Sequence, residues 1–296
     1  MDEARKKILV TGATGKTGVF TTKILLDRGH EVRALVHRMD DRSQRLADAG
    51  ATIVEGDLLD LSSVVSATQG IDTAYFTYPI IPGLVEASAN FAQAAKEARL
   101  DGIVNMSQIS ARRDAVSNAA RNHWVAEQVF DQFPVPATHL RPTFFAEWLI
   151  AFWNGGDIRL PFADGRHAPI AAEDQAHVIA AILEDPAPHA GEVYPLYGPV
   201  EANHAEIAKK LSRALGVPAT YTPISLEDFT EALKGMDFGD HTIQHLHSVA
   251  IDYRNGVFSG TNDLVERVGK KKPLTVEEFA DRNREFFEDR SSWNHW

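Results

Sequence analysis

The chain has 296 residues, a formal net charge of −11, 44% hydrophobic residues and no cysteine. The acidic balance argues against general binding to nucleic acid or anionic membranes, and the missing cysteines exclude disulfides, thiolate metal sites and cysteine nucleophiles. The length suits a core domain with a smaller lobe. The polar opening Met1–Lys7 fits no signal peptide and no run of 18 apolar residues occurs, so a cytoplasmic protein, monomer or homodimer, is expected.

The first strand pattern, Ile8–Thr11, runs straight into Gly12-x-x-Gly15-x-x-Gly18 and then a helical segment, Gly18–Arg28. In that setting the glycines predict a dinucleotide site: the turn lets backbone approach a pyrophosphate, and the helix N-terminus holds its charge. Gly12, Thr14, Gly15, Lys16, Thr17 and Gly18 are its expected contacts. Further strands are expected at Glu31–Val36, Thr52–Glu55, Thr73–Tyr78, Gly102–Met106 and Ala137–Arg141. Helices are expected between them at Asp41–Ala49, Leu61–Thr68, Gly83–Ala98 and Asn118–Phe133. This alternation predicts an α/β protein, a Rossmann-like doubly wound parallel sheet. After Arg141 the alternation becomes irregular, with helices at Asp174–Glu184, His204–Leu215, Leu226–Lys234 and Thr275–Phe287. Residues 1–150, together with a strand at 193–198, are expected to form the NADP-binding domain. Residues 151–296 are expected to form a smaller α+β substrate-binding lobe.

At the end of the second strand, Val32-Arg33-Ala34-Leu35-Val36-His37-Arg38, no carboxylate is placed to take the ribose hydroxyls of NAD. A guanidinium suits a 2′-phosphate. His37 and Arg38 are therefore the phosphate candidates, Arg33 reads as a solvated strand residue, and the expected cofactor is NADP(H). Ligands in such sheets lie at strand carboxyl ends. That rule assigns Asp57 and Leu58 to the adenine end, Thr77, Tyr78 and Pro79 to the pyrophosphate and ribose, and Ser107, Pro142 and Phe144 to the nicotinamide end. Asp60 is the better cap for the helix at Leu61.

Thr11–Gly18, Gly56-Asp57-Leu58, Asn105-Met106-Ser107 and Leu140-Arg141-Pro142-Thr143-Phe144-Phe145 resemble the NmrA-like branch of atypical short-chain dehydrogenases. Leu196-Tyr197-Gly198-Pro199 and Thr261-Asn262-Asp263 resemble it more loosely, so the likeness covers nearly the whole chain. The resemblance implies NADP(H) bound between a Rossmann domain and a small C-terminal lobe. It implies either reduction of quinones, azo dyes or triphenylmethane dyes, or redox-sensing regulation without clear turnover. One departure matters most. Short-chain dehydrogenases pair a proton-donating Tyr with a Lys as Tyr-x-x-x-Lys, but here Arg121 stands at the Tyr position and Val125 at the Lys position.

Hydride transfer to a quinone or cationic dye needs little proton donation. His123 is the candidate proton donor or relay, and Arg121 the candidate stabiliser of negative charge on an acceptor oxygen. In the aromatic run Phe144–Trp153, Phe144 and Trp148 are expected to line a flat pocket for a planar aromatic substrate, and Phe152 to pack inside. Glu147 reads as a buried partner for Arg or His. His241-x-x-x-His245-x-His247, near Asp240 and Asp237, has helical metal-ligand spacing but no His-Glu-x-x-His. The preferred reading is a polar face of the lobe touching substrate, with no metal. Lys270-Lys271-Lys272 reads as a solvated turn. The expected function is an NADP(H)-dependent reductase of planar acceptors; the alternative is an NADP(H)-binding redox sensor.

Overall fold

The computed structural model describes residues 5–236 and 238–289. The first half alternates β1 (Lys7–Thr11), α1 (Lys16–Asp27), β2 (Glu31–Val36), α2 (Asp41–Asp48), β3 (Thr52–Glu55), α3 (Leu61–Thr68), β4 (Thr73–Phe76), α4 (Leu84–Ala98), β5 (Gly102–Met106), α5 (Asn118–Asp131) and β6 (Ala137–Pro142). The second half adds α6 (Glu147–Ala151), β7 (Asp157–Leu160), β8 (Arg166–His167), α7 (Ala172–Glu184), β9 (Val193–Leu196), β10 (Ala202–Asn203) and α8 (His204–Leu215). It ends with β11 (Thr220–Pro223), α9 (Leu226–Lys234), α10 (Asp240–Arg254), α11 (Leu264–Arg267), α12 (Val276–Arg282) and α13 (Arg284–Glu288).

Every residue of β4 and β5 is buried, because helices cover both faces of the strands they join. The sheet is seven-stranded and parallel throughout, in the order β3-β2-β1-β4-β5-β6-β9. Its direction of growth reverses between β1 and β4, so the loops leaving these two strands diverge and open a crevice at their carboxyl ends. On one face, Tyr75, Val104 and Leu140 pack with Val178 and Ile182 of α7. On the other, Phe76, Phe91 and Phe130 meet in tilted and edge-on contacts 5.0 and 5.2 Å between centroids. A third core, around Trp153, Phe162, Leu211, Phe229 and Phe286, belongs to the second half. Two later elements nevertheless return to the first half: α7 packs on α1, and β9 completes the sheet beside β6. Among the described residues no helix is long and apolar enough to cross a membrane.

Four local differences from the sequence reading have physical causes. Strand β4 stops at Phe76 because the Thr11 hydroxyl clasps the Thr77 backbone, accepting from its N–H at 2.9 Å and donating to its carbonyl at 3.1 Å. The expected helix Thr275–Phe287 divides at Asn283, whose side chain donates to the Phe279 carbonyl at 2.8 Å and competes with helix propagation. The aromatic run is helical only over α6. Phe144 and Phe145 precede it, held by a backbone bridge to Ile170. The Lys270–Lys272 run is not simply solvated: the Lys271 ammonium pairs with Asp174 at 2.7 Å and Glu173 at 2.8 Å.

A buried carboxylate fixes the carboxyl edge of the sheet. Glu127 on α5 accepts from Ser107, just past β5, at 2.5 Å, and from the Arg141 guanidinium in β6 at 2.9 and 2.5 Å. Removing one partner of such a pair strands the other without compensation. Glu127→Ala is expected to lower stability by about 3 kcal/mol in urea denaturation, and Glu127→Leu combined with Arg141→Met to recover most of that loss. A loss no smaller in the double variant would show that the pair is not the cause.

Candidate functional site

The glycine turn is built by exclusion. Gly12 sits at φ +55°, and a Cβ there would meet Thr77 Cγ2 at 2.5 Å. A Cβ on Gly18 would lie 2.2 Å from the Gly12 carbonyl oxygen and 2.7 Å from Ala13 Cα, so only glycine lets α1 sit this close to the turn. Gly15 caps α1 without any side-chain hydrogen bond and is exposed, which leaves the helix N-terminus open to an anion. From this turn a groove of about 390 Å³ runs past Thr14, His37, Asp57 and Leu58 to Thr77, Tyr78 and Pro79. The cradle and the open helix end fit a dinucleotide pyrophosphate.

A second cavity, of about 450 Å³, begins where the groove ends, and Thr77, Tyr78 and Pro79 border both. Its floor is the sheet edge: Met106, Ser107, Gln108, Pro142 and Thr143. Phe144, Phe145 and Trp148 form one wall, and Phe238, Thr242, His245, Leu246 and Val249 of the second half form the other. The Phe144 and Trp148 rings meet edge-on at 6.3 Å, and Trp148 stacks on Phe152 at 5.2 Å. Side-chain links dock α10 across the cleft. Thr242 Oγ1 donates to the Ile80 carbonyl at 2.8 Å, Gln244 bonds Val116 and Asn118, and Asp252 takes Arg112 at 2.9 and 2.7 Å.

The cavity holds polar groups without charge. His123 is buried and its pKa is pushed down to about 3, chiefly by burial and secondarily by His245. Burial, with His241, pushes His245 down to about 4. Tyr78 donates to the Pro82 carbonyl at 3.2 Å, and burial with the carboxylates of Asp57 and Glu86 raises its pKa. Both imidazoles are therefore neutral near pH 7, and the phenol is not activated for proton donation.

The NmrA-like family model matches residues 4–280. The chain belongs to the NmrA-like family. An NAD(P)H azoreductase of Xenophilus azovorans is 28% identical over 279 residues, 92% of this chain and 96% of its own length. The NADPH-dependent quinone oxidoreductase of Escherichia coli, solved with NADPH, superposes with a TM-score of 0.81 at 24% identity, covering 93% of this chain and 99% of that one. The negative transcriptional regulator NmrA, solved with NAD, superposes at 0.82 with 17% identity, covering 99% and 98%. These two superpositions show a shared fold.

Against the NmrA-like pattern, the structure separates the residues the sequence grouped. Thr14, His37, Asp57, Leu58, Thr77, Tyr78 and Pro79 border the groove, with Gly12 at its turn. Ser107, His123, Pro142, Phe144 and Trp148 border the inner cavity. Arg38 is exposed beside His37 at the end of β2. Four expectations change. Thr17 turns away from the groove, its buried hydroxyl 2.8 Å from that of Tyr75. Arg33 caps α3 instead of facing solvent, donating to the Ala67 and Gln69 carbonyls at 2.7 and 2.9 Å. Arg121 is exposed and outside the cavity: its guanidinium donates to the Ala115 carbonyl at 3.1 Å and to the Asn118 side chain. His123 reaches the cavity, where burial keeps it neutral near pH 7, so of donor and relay only the relay role fits.

The histidines of α10 also diverge, His245 turning to Ser117 at 2.8 Å and His247 to Thr230 at 2.9 Å. Asp237 lies outside the described residues. Gln108 and Thr242 were missed, since neither stands in a motif and only the docking of α10 brings them to one cavity.

Glu147 pairs with neither Arg nor His. One carboxylate oxygen accepts from the Ala172 N–H at 3.0 Å at the start of α7, and the other is buried without a hydrogen-bond partner. Burial pushes its pKa up to about 7 against the opposing pull of the Ala172 N–H and the Lys16 ammonium, while Lys16 falls to about 8, chiefly by burial. The fold thus holds a proton on Glu147 between about pH 4.5 and 7 that the unfolded chain releases, so stability falls as pH rises through that window. Glu147→Gln is expected to raise stability at pH 8 by roughly 3 kcal/mol and to change it little at pH 4, read from paired urea titrations. Equal effects at both pH values would refute the assignment.

Proposed function

We propose that the chain is an NADP(H)-dependent reductase that passes hydride to a planar aromatic acceptor, of the quinone or azo-dye class, without a Tyr-x-x-x-Lys pair. One observation carries the reading: a cavity walled by aromatic rings opens directly from the end of the glycine-turn groove, at Thr77, Tyr78 and Pro79. The names of the azoreductase and quinone oxidoreductase relatives point the same way. The absence of a carboxylate at the end of β2, with exposed His37 and Arg38 in its place, supports the phosphorylated cofactor.

When bound, NADP(H) supplies a hydride, and with one proton from solvent the two-electron reduction of a quinone to a hydroquinone balances. The chain's own part is placement. Backbone N–H groups in the first turn of α1 hold the pyrophosphate. Phe144 and Trp148 contact the acceptor ring, and the α10 wall limits access of water. An acceptor whose reduced form is stable needs no strong acid beside it, which agrees with the two neutral imidazoles. A second reading, a nucleotide-responsive regulator, draws on one residue: Val125, half-buried, stands where family enzymes carry Lys.

Saturable loss of NADPH absorbance with a panel of quinones and azo dyes is expected, slower with NADH. Arg38→Ala is expected to raise the Kd for NADPH about tenfold, as loss of one charge-assisted phosphate contact predicts, and to leave NADH binding unchanged. Tight NADPH binding without turnover across the panel would displace the reductase reading in favour of the regulator.

A further inference from the structure

The cavity contains an unused hydrogen-bond donor whose direction the surrounding network decides. Ser117 is fully buried at the N-cap of α5, where its hydroxyl oxygen accepts from the Ala120 N–H at 3.1 Å. The same oxygen lies 2.8 Å from His245 Nδ1. With the Ala120 contact filled by a donor, the hydroxyl hydrogen is left with Nδ1 as its acceptor. A neutral imidazole that accepts at Nδ1 carries its own hydrogen on Nε2.

Beside this contact α10 is tied to the same segment. The neighbouring Gln244 grips both sides of Ser117, donating to the Val116 carbonyl at 3.0 Å and accepting from the Asn118 N–H at 3.0 Å. With Nδ1 turned to Ser117, the Nε2 edge is left to the cavity, which His245 borders beside Leu246 and Val249. Gln108 lines the same space, with its Oε1 accepting from Ser110 at 2.7 Å. A donor among apolar rings favours a guest that brings oxygen, because an unmet buried donor is penalised and a met one is strengthened by the low dielectric.

We propose that His245 donates its Nε2–H to an oxygen of the acceptor, that Ser117 is the positioning residue that selects this tautomer, and that the site therefore prefers quinones to oxygen-free dyes. This rests on the reductase reading, which it narrows from planar acceptors to oxygen-bearing ones. As hydride arrives at the quinone ring, negative charge grows on that oxygen, and the N–H stabilises it without giving up its proton.

The test separates the two readings. Nitrogen-15 spectra of the imidazoles in the full-length protein, recorded without any acceptor, should show His245 as the Nε2–H tautomer, and Ser117→Ala should convert it to a mixture. An Nδ1–H tautomer in the native protein overturns the proposal. His245→Gln keeps an N–H near the Nε2 position, whereas His245→Asn keeps the contact to Ser117 and withdraws the donor from the cavity. The ratio of kcat/KM for menadione to that for crystal violet should fall about tenfold in His245→Asn, the factor one hydrogen bond supplies, and largely recover in His245→Gln. Identical ratios in the two variants overturn the proposal. If the native protein reduces no acceptor, the reductase reading fails on its own, and quenching of tryptophan fluorescence by menadione then decides on His245. Weaker binding in the Asn variant than in the Gln variant supports the donor, and equal binding overturns it.

Discussion

The buried Glu127 carboxylate is the contact on which the working end of this molecule depends. It draws together Ser107 past β5, Arg141 in β6 and the helix α5 that carries it, all at the carboxyl edge of the sheet. Each of those elements supplies part of the inner cavity: Ser107 and Gln108 from one loop, Pro142 and Phe144 from the next, and His123 one helical turn before Glu127. A carboxylate 2% exposed tolerates no loosening, since either ion left alone would be desolvated and unpaired. The hydroxyl of Ser107, which the strand-end rule places beside the nicotinamide, is consequently committed to the protein and stands as a structural donor.

The two halves of the site are specified in different ways. At the glycine turn what matters is the atoms that are missing: Gly12 and Gly18 leave no room for a Cβ. At the inner cavity the surface is side chain, and the wall stands where it does because α10 is cross-linked to the loops before α4 and α5. Behind Phe144 a buried cluster stiffens that wall. The Tyr253 hydroxyl bonds His167 and also lies 3.2 Å from His204, while Phe144 packs edge-on against His167 at 5.9 Å and Tyr253 at 6.0 Å. Burial holds both of these histidines neutral and raises the phenol, so the cluster acts as a fixed polar brace and not as a titrating one.

The chemistry follows from the same burial. An alcohol–ketone reductase needs a phenol poised to deliver a proton, and here burial moves the cavity's phenol in the opposite direction. The cavity instead combines neutral imidazoles with aromatic walls.

The sequence by itself determined the sheet and the turn. Apolar runs at Ile8–Val10, Thr73–Phe76 and Gly102–Met106 can be buried only between two helical layers, and glycine spacing after the first strand admits few backbone paths. The strand-end rule likewise placed Asp57, Thr77, Tyr78 and Pro142 along the groove and cavity at the carboxyl edge, because it depends only on chain direction in a parallel sheet. The tertiary structure decided the rest. Thr17, Arg33 and Arg121 have the right chemistry for a site but are spent on Tyr75, on the end of α3 and on the loop before α5. The ionisation of His123 and Glu147 is set by depth and neighbours from distant segments, a property that no spacing encodes. The His241–His245–His247 spacing reads as a polar face of the lobe, but it is a hydroxyl 128 residues earlier in the chain that sets the orientation of the His245 ring.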